Sequence, residues 1–451
     1  MLVKKNFKKN ISKKKEKKSK EILLQNPRGM RDILPEEQNY WDQIRKVLEQ
    51  SYRDYGFGRM DLPILEYSDL LIRSIGEGTD IVDKEMYSFV TKGGDKLSLR
   101  PEFTAGLARA YLQHGMNVRH KPVKIFSMGA VYRYDRPQEG RYRELYQANF
   151  DIFGEQDAVM DAHIIQLASR ILAALDIKKV QFQINSIGCP VCRKNYLNLL
   201  KKYFESKKNK LCQTCRKRIH TNPLRILDCK EDKCSQVAAQ APQILDHLCD
   251  DCRLHFRSLL EYLEELEIFY VINPRLVRGL SYYTKTVFEI WPIGEEGKKY
   301  SLGGGGRYDN LVELLGGEKT PAIGFALGLD RVVAEMKKIK AKAYVFPIPK
   351  VFLAQLGDLA KKKSLKLFSD LEKNGVLVAE SFGRGSLKSQ LRIANRLKAE
   401  ITIIMGQKEA LDGTVIMKNM ATGTQETLVV NEKLPFIIKK ALKNNGKVIK
   451  K

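Results

Sequence analysis

Residues 124–154 alternate between apolar and polar positions on both sides of a polar loop, the period-2 mark of two strands with unlike faces. In the second half Tyr146, Ala148, Phe150 and Ile152 point one way, and Leu145, Gln147, Asn149 and Asp151 the other. In the first half Arg133 and Asp135 share a face, with Tyr132 and Tyr134 opposite. The apolar side belongs to a core. The opposite side carries Gln, Asn and Asp in a row, which is costly if merely desolvated and useful if it holds a polar ligand. Arg136, Arg141 and Arg143 in the loop suit phosphates, because guanidinium meets phosphate oxygens bidentately. An ordinary hairpin with a solvated, charged tip is the plainer alternative.

Around this hairpin the periodicity predicts a helix over 36–55, with Trp41, Ile44, Val47, Leu48 and Tyr52 as a core or subunit-interface stripe. A Gly-rich loop at 75–80 is free to move over a site. A strand at 97–100 runs into a helix over 105–114. At that junction Glu102 supplies charge and Thr104 a directed hydrogen bond for an ammonium ligand, although Thr104 also reads as a helix cap. A helix over 155–175, a strand over 180–185 and a helix over 254–266 follow. Residues 276–290 read as a β-branched and aromatic strand pair with Arg278 at its start. The glycines at 303–306 let a backbone pass close to something bulky. Gly324 and Gly328 allow a tight strand-to-helix transition, with Arg331 aimed back at the ligand. From 346 the rhythm becomes strand–helix–strand–helix–strand, which predicts a separate α/β domain with a parallel sheet.

The 451 residues suit two to four domains, and no apolar run approaches the ~18 residues of a membrane span. The net charge of +26 is uneven: residues 1–20 hold ten lysines against one glutamate, and residues 346–451 carry twenty Lys and Arg against nine Asp and Glu. Basic ends point to a polyanion such as nucleic acid, or to a solubilising tail. Residues 1–24 form a basic arm without a signal-peptide core or a transit-peptide pattern. No phosphate-binding Gly-x4-Gly-Lys-Ser/Thr sequence occurs, so a nucleoside triphosphate would have to be held by arginines.

All eight cysteines lie in an insertion of about 188–253: Cys189 with Cys192, Cys212 with Cys215, Cys229 with Cys234, and Cys249 with Cys252. Without a secretion signal this is metal-ligand spacing rather than a disulfide framework, and it would make two four-thiolate zinc knuckles. Reduced, unmetallated thiols are the alternative.

The order of these motifs resembles that of histidyl-tRNA synthetases, class II aminoacyl-tRNA synthetases, over 25–440. The family's arginine hairpin looks like Tyr132–Pro137 through Gln147. Its histidine-specific stretch is similar to Leu276–Glu289, its Gly-rich companion to Gly304–Asp309, and its closing motif to Gly324–Arg331. The resemblance implies an α+β fold. A class II antiparallel sheet flanked by helices would span 25–345, with the Cys-rich insertion (188–253) inside it and an anticodon-binding domain at 346–451. It implies a cytoplasmic homodimer, paired around 36–65, that makes histidyl-adenylate from L-histidine and ATP with Mg2+ and passes histidine to the 3′ end of tRNA(His).

By the same resemblance, Arg133 and Arg278 are catalytic, Arg133 on the α-phosphate and Arg278 between it and the histidine carboxylate. Asp135, Arg141 and Arg331 belong to the ATP site. Glu102, Phe103, Thr104 and Gln147 surround the α-ammonium, Asp151 and Tyr283 face the imidazole, and Tyr282 belongs to the same histidine site. Three residues depart from the family pattern: Phe103 stands where some members carry Gly, Asp151 is shorter than the Glu of others, and Ser281 replaces the Asp before the tyrosine pair. A non-catalytic histidine-sensing paralogue is the rival reading. Retention of the Arg278 stretch and of the C-terminal domain argues against it.

Overall fold

The computed structural model describes residues 24–138, 140–293 and 300–448. The basic arm expected over 1–24 therefore lies, apart from Leu24, outside the described residues. The chain divides into two compact units that meet at Tyr344 and Val345.

In the first unit eight strands lie side by side in the order Gly58–Arg59, Val123–Tyr132, Glu144–Phe153, Ala322–Gly328, Gly303–Arg307, Thr284–Pro292, Val180–Ser186 and Tyr270–Ile272. Every pairing is antiparallel except those of the two edge strands, which run parallel to their neighbours. This is the antiparallel sheet flanked by helices that the family resemblance implies. Its apolar face follows from the alternation: Ala148, Phe150 and Ile152 are wholly buried, and Phe150 stacks on Phe325 of the adjacent strand at 5.2 Å. Helices Pro35–Asp54, Ala158–Ala174, Asp250–Glu265 and Leu329–Lys338 cover that face. The Trp41, Ile44 and Leu48 stripe packs into this same core, each side chain contributing about 1.5–3 kcal/mol of apolar burial. The stripe is thus core rather than subunit interface.

Two predicted elements differ. Residues 273–283 turn irregularly, and only Thr284–Pro292 is strand. Asn185 holds the irregular stretch by donating from its side-chain amide to the carbonyls of Pro274 and Leu276 at 3.2 and 3.0 Å. The run of four glycines is a central strand, Gly303–Arg307. A Cβ on Gly304 would stand 2.5 Å from the Phe288 carbonyl and 2.8 Å from Arg278 Nη1, so glycine clears space over the strand for that guanidinium.

The insertion is helical, with helices Pro190–Ser206, Gln213–Thr221 and Asp232–Ala239 before Asp250–Glu265. Its apolar residues pack into a second core beside Phe103, Leu107 and Tyr111 on the other side of the sheet.

The second unit orders its strands Val378–Glu380, Val351–Gln355, Ile401–Met405, Thr414–Asn419 and Gln425–Val429. The first three are parallel, as the strand–helix rhythm predicts, but the last two join antiparallel. Gly413 and Gly423, both at positive φ, allow the tight reversals that make this hairpin. On helix Leu387–Arg396 and the residues just beyond it, Lys388, Arg392, Arg396 and Lys398 are all exposed.

Arg307, fully buried, ties the glycine strand to its surroundings. It donates to Asp161 at 2.7 Å and to the carbonyls of Glu155 and Asp157 at 3.0 and 2.7 Å. Arg307→Met leaves the buried Asp161 carboxylate with His255, 3.2 Å away, in place of a guanidinium, and the expected cost is about 3–5 kcal/mol, read as a lower urea midpoint.

Candidate active site

A cavity of about 310 Å³ opens on the polar face of the sheet, next to the hairpin from which the sequence reading started. Alternation puts Gln147 and Asn149 on its floor, opposite the buried Ala148 and Phe150. Ten of the predicted residues line it: Glu102, Thr104, Arg133, Asp135, Arg141, Gln147, Arg278, Tyr282, Tyr283 and Arg331. They come from five separated stretches of chain.

Two of the guanidinium groups are held by backbone carbonyls and two by carboxylates. Arg133 donates to Pro101 O at 2.8 Å; Arg331 donates to Ser301 O at 2.7 Å and Gly140 O at 3.1 Å. Burial, then the charges of Arg141 and Arg133, push the Arg331 pKa down. Arg141 pairs with Asp135, and Arg278 with Glu289 at 2.5 Å. Arg278 lies over the Gly304 gap, with its Nε buried and without a partner among the described residues. Gln147 Oε1 and Asn149 Oδ1 are likewise buried and unpartnered. Such atoms cost free energy unless something binds them, which marks the floor as a ligand surface.

Glu102 performs two tasks. Its carboxylate accepts from the backbone N–H groups of Thr104 and Ala105, both at 2.7 Å, and so caps helix Thr104–Gln113. It also accepts from the Tyr282 hydroxyl at 3.3 Å. Burial raises its pKa, while the two backbone N–H groups and the charge of Arg133 oppose that rise. The cap read from the sequence as Thr104 therefore falls to Glu102. The Thr104 hydroxyl instead donates to Asp151 at 3.4 Å.

Two predicted residues do not line the cavity. Phe103 is buried beneath it, with the Arg100 guanidinium 4.3 Å from its ring centre. Asp151 sits under Gly324, where a Cβ would meet its Oδ1 at 2.5 Å, and accepts from the Tyr308 hydroxyl at 2.5 Å. Tyr308 does line the cavity, so its phenol stands between Asp151 and the open space. Ser281, the third departure, packs against Gly76 at the base of the Gly-rich loop, where a Cβ on Gly76 would stand 2.6 Å from its hydroxyl. The Gly-rich loop itself runs into a short π-helix, Ile81–Glu85, and Ile81 lines the cavity.

Sequence reasoning gave no role to Glu289 or Tyr308, although both fall within the quoted motifs. It missed Arg225 and Asp228 altogether. These come from the insertion, between two Cys pairs, where no periodicity or spacing marks them. The eight cysteines form two separate groups, Cys189, Cys192, Cys249 and Cys252, and Cys212, Cys215, Cys229 and Cys234.

Burial pushes the Asp151 carboxyl up to about 7, against the Tyr308 hydrogen bond that lowers it and with the Glu102 charge adding to the rise. A carboxyl raised in this way contributes stability in full below its unfolded value near 4, and that contribution is lost as the pH rises through about 7. Asp151→Asn, which cannot ionise, is expected to gain several degrees of Tm on the wild-type chain at pH 8 relative to pH 5. Thermal scans at the two pH values check this.

The histidyl-tRNA synthetase family profile matches residues 29–332, and the anticodon binding domain profile matches residues 342–440. The chain is 46% identical over 410 residues to the histidine–tRNA ligase of Dehalococcoides mccartyi, covering 91% of this chain and 98% of that one. It is 42% identical over 408 residues to that of Caldicellulosiruptor saccharolyticus, covering 90% and 97%. The crystal structure of apo histidyl-tRNA synthetase from S. aureus superposes with a TM-score of 0.76 at 32% identity, over 92% of this chain and 99% of that one. With one cavity gathering the arginines, Glu102 and Gln147, and with relatives matched over nearly their whole length, the chain belongs to the histidyl-tRNA synthetase family.

Proposed function

We propose that this chain is a histidine–tRNA ligase, which joins L-histidine to ATP as histidyl-adenylate, releases pyrophosphate, and transfers histidine to the 3′ end of tRNA(His). The observation that carries the reading is the convergence of Arg133, Arg278 and Arg331 on one cavity beside Glu102 and Gln147. Attack of the histidine carboxylate on the α-phosphorus forms a C–O–P link and breaks the bond to the β-phosphate. Negative charge accumulates on the α-phosphate oxygens as it does so, and positioned cations lower the barrier.

Arg133 holds the α-phosphate. Arg278, oriented by Glu289 and resting over Gly304, bridges that phosphate and the incoming carboxylate. Arg331 and Arg141 take the outer phosphates, with Asp135 steering Arg141. Mg2+ on those phosphates would draw on hard carboxylate oxygens of the cavity wall, for which Glu289 and Asp135 are suited. Glu102, Thr104 and Gln147 receive the α-ammonium. Tyr283 and Tyr308 face the imidazole. A phenol that donates to Asp151 keeps a lone pair to accept an imidazole N–H, so Asp151 acts one side chain removed from the ring. Readout of this kind rejects analogues that lack a ring N–H.

The exposed basic face of the second unit suits the phosphates of the tRNA anticodon arm. Two copies would pair through the apolar surface that Leu65, Tyr67, Phe89 and Val90 expose on the small sheet of strands Leu65–Tyr67, Lys96–Leu99 and Ser88–Val90. The two thiol groups suit structural Zn2+, since four-thiolate sets without an open position are structural sites. No helix among the described residues is long and apolar enough to cross a membrane. A translation enzyme with eight free thiols fits the cytoplasm.

Histidine-dependent exchange of pyrophosphate into ATP tests the reading, and exchange driven by another amino acid instead of histidine would overturn it. Arg278→Ala is expected to slow exchange at least ~100-fold, because it removes charge stabilisation at the reacting phosphorus. A near-wild-type rate in that variant would count against the mechanism.

A further inference from the structure

The insertion reaches the cavity through residues that adjoin its second thiol group. Within each group the four Sγ atoms lie within 4.8 Å of one another. Four sulfurs about 2.3 Å from one tetrahedral ion stand roughly 3.8 Å apart; Cys189 Sγ is 3.6 Å from Cys192 Sγ and 4.0 Å from Cys249 Sγ. All eight are free thiols. Backbone N–H groups already point at the sulfurs, from Cys249 to Cys192 and from Cys212 to Cys234, both at 3.1 Å, and from Cys215 to Cys212 at 3.4 Å. Donors so placed offset thiolate charge around a bound dication.

The second group brackets a short stretch with two jobs. Helix Gln213–Thr221 starts at Cys212 and Cys215 and carries Arg218. The turn Pro223–Ile226 carries Arg225, and Asp228 immediately precedes Cys229. Arg218 donates to both oxygens of Asp80, at 2.8 and 2.6 Å, and Arg225 donates to Asp80 at 3.3 Å and to Asp228 at 3.3 Å. Asp80 belongs to the Gly-rich loop, one residue before the Ile81 that lines the cavity, and Arg225 and Asp228 line the same cavity. These ion pairs are partly buried, and they are the side-chain ion pairs that join loop and insertion among the described residues.

We propose that each thiol group binds one Zn2+, and that the second ion fixes the 212–234 segment so that Arg218 and Arg225 latch Asp80 and complete the mouth of the cavity. Asp80, Arg218 and Arg225 are positioning residues: they act by holding the loop and the insertion together. The kinetic part of this inference rests on the histidine-activating reading. The metal and latch parts do not. When the latch is lost, the binding-competent arrangement is populated only part of the time, so KM rises while kcat holds.

The test uses the full-length protein in three forms: wild type, Asp80→Asn, and Cys229→Ser with Cys234→Ser. Elemental analysis is expected to find two zinc ions per chain in the first two and one in the third. Hydrogen exchange is expected to show faster exchange of residues 76–85 and 222–228 in both variants than in wild type. In pyrophosphate exchange, both variants are expected to raise KM for histidine and ATP about tenfold, with kcat within about twofold. Iron in place of zinc, fewer than two zinc ions in the wild type after purification with zinc, or unchanged hydrogen exchange and KM in Asp80→Asn would each overturn the proposal. If the wild type carries out no histidine-dependent exchange, the functional reading fails, while zinc content and hydrogen exchange still decide the latch.

Discussion

Guanidinium charge concentrated around one cavity is the constraint on which the rest of the molecule depends. Arg133, Arg141 and Arg331 lie near enough that the first two depress the pKa of the third. Like charges so placed repel, and a protein keeps them together only with rigid anchors. Main-chain carbonyls of Pro101, Gly140 and Ser301 anchor Arg133 and Arg331 and fix their direction without cancelling charge, while Asp135 holds Arg141. In the proposed reaction an anionic triphosphate would relieve the repulsion, and the charge developing on the α-phosphate would find its partners already oriented.

The sheet is what makes such anchoring affordable. Phe150, Phe325 and the covering helices stabilise one face, and the antiparallel register aligns Gln147 with Gly129 on one side and Gly328 on the other. Polar groups on the second face are thereby held with buried, unpartnered atoms turned to the cavity. Glycine at 304 and 324 then leaves room for Arg278 and Asp151 to lie against the strands, where any side chain would collide. Fold stability and site geometry share the same two positions. The insertion adds a third wall, so a segment with its own small core and two thiol groups borders the chemistry directly.

Much of this was legible along the chain wherever one strand or helix carried the information. The alternation at 144–153 identified both the core residues and the floor of the cavity, because side chains on a strand can face only two ways. The stripe on helix 36–55 and the strand–helix rhythm after 346 were readable for the same reason. Residues 273–283 were not, since β-branched and aromatic composition also occurs where a buried amide such as Asn185 holds an irregular segment. Likewise the final hairpin, 414–429, pairs antiparallel through turns that a parallel pattern does not announce.

By itself the sequence determined which segments carry cations, which polar row is turned to the cavity side of the sheet, and that eight thiols cluster, because each is a property of residue type and spacing. Tertiary structure alone decided that Asp151 stands behind Tyr308, that Glu102 caps a helix as well as lining the cavity, that the thiols divide into their two particular groups of four, and that Arg225 and Asp228 join the site. Each of those outcomes depends on atoms far apart in sequence competing for one buried volume or one hydrogen-bond partner. Packing resolves that competition, and local pattern does not encode it.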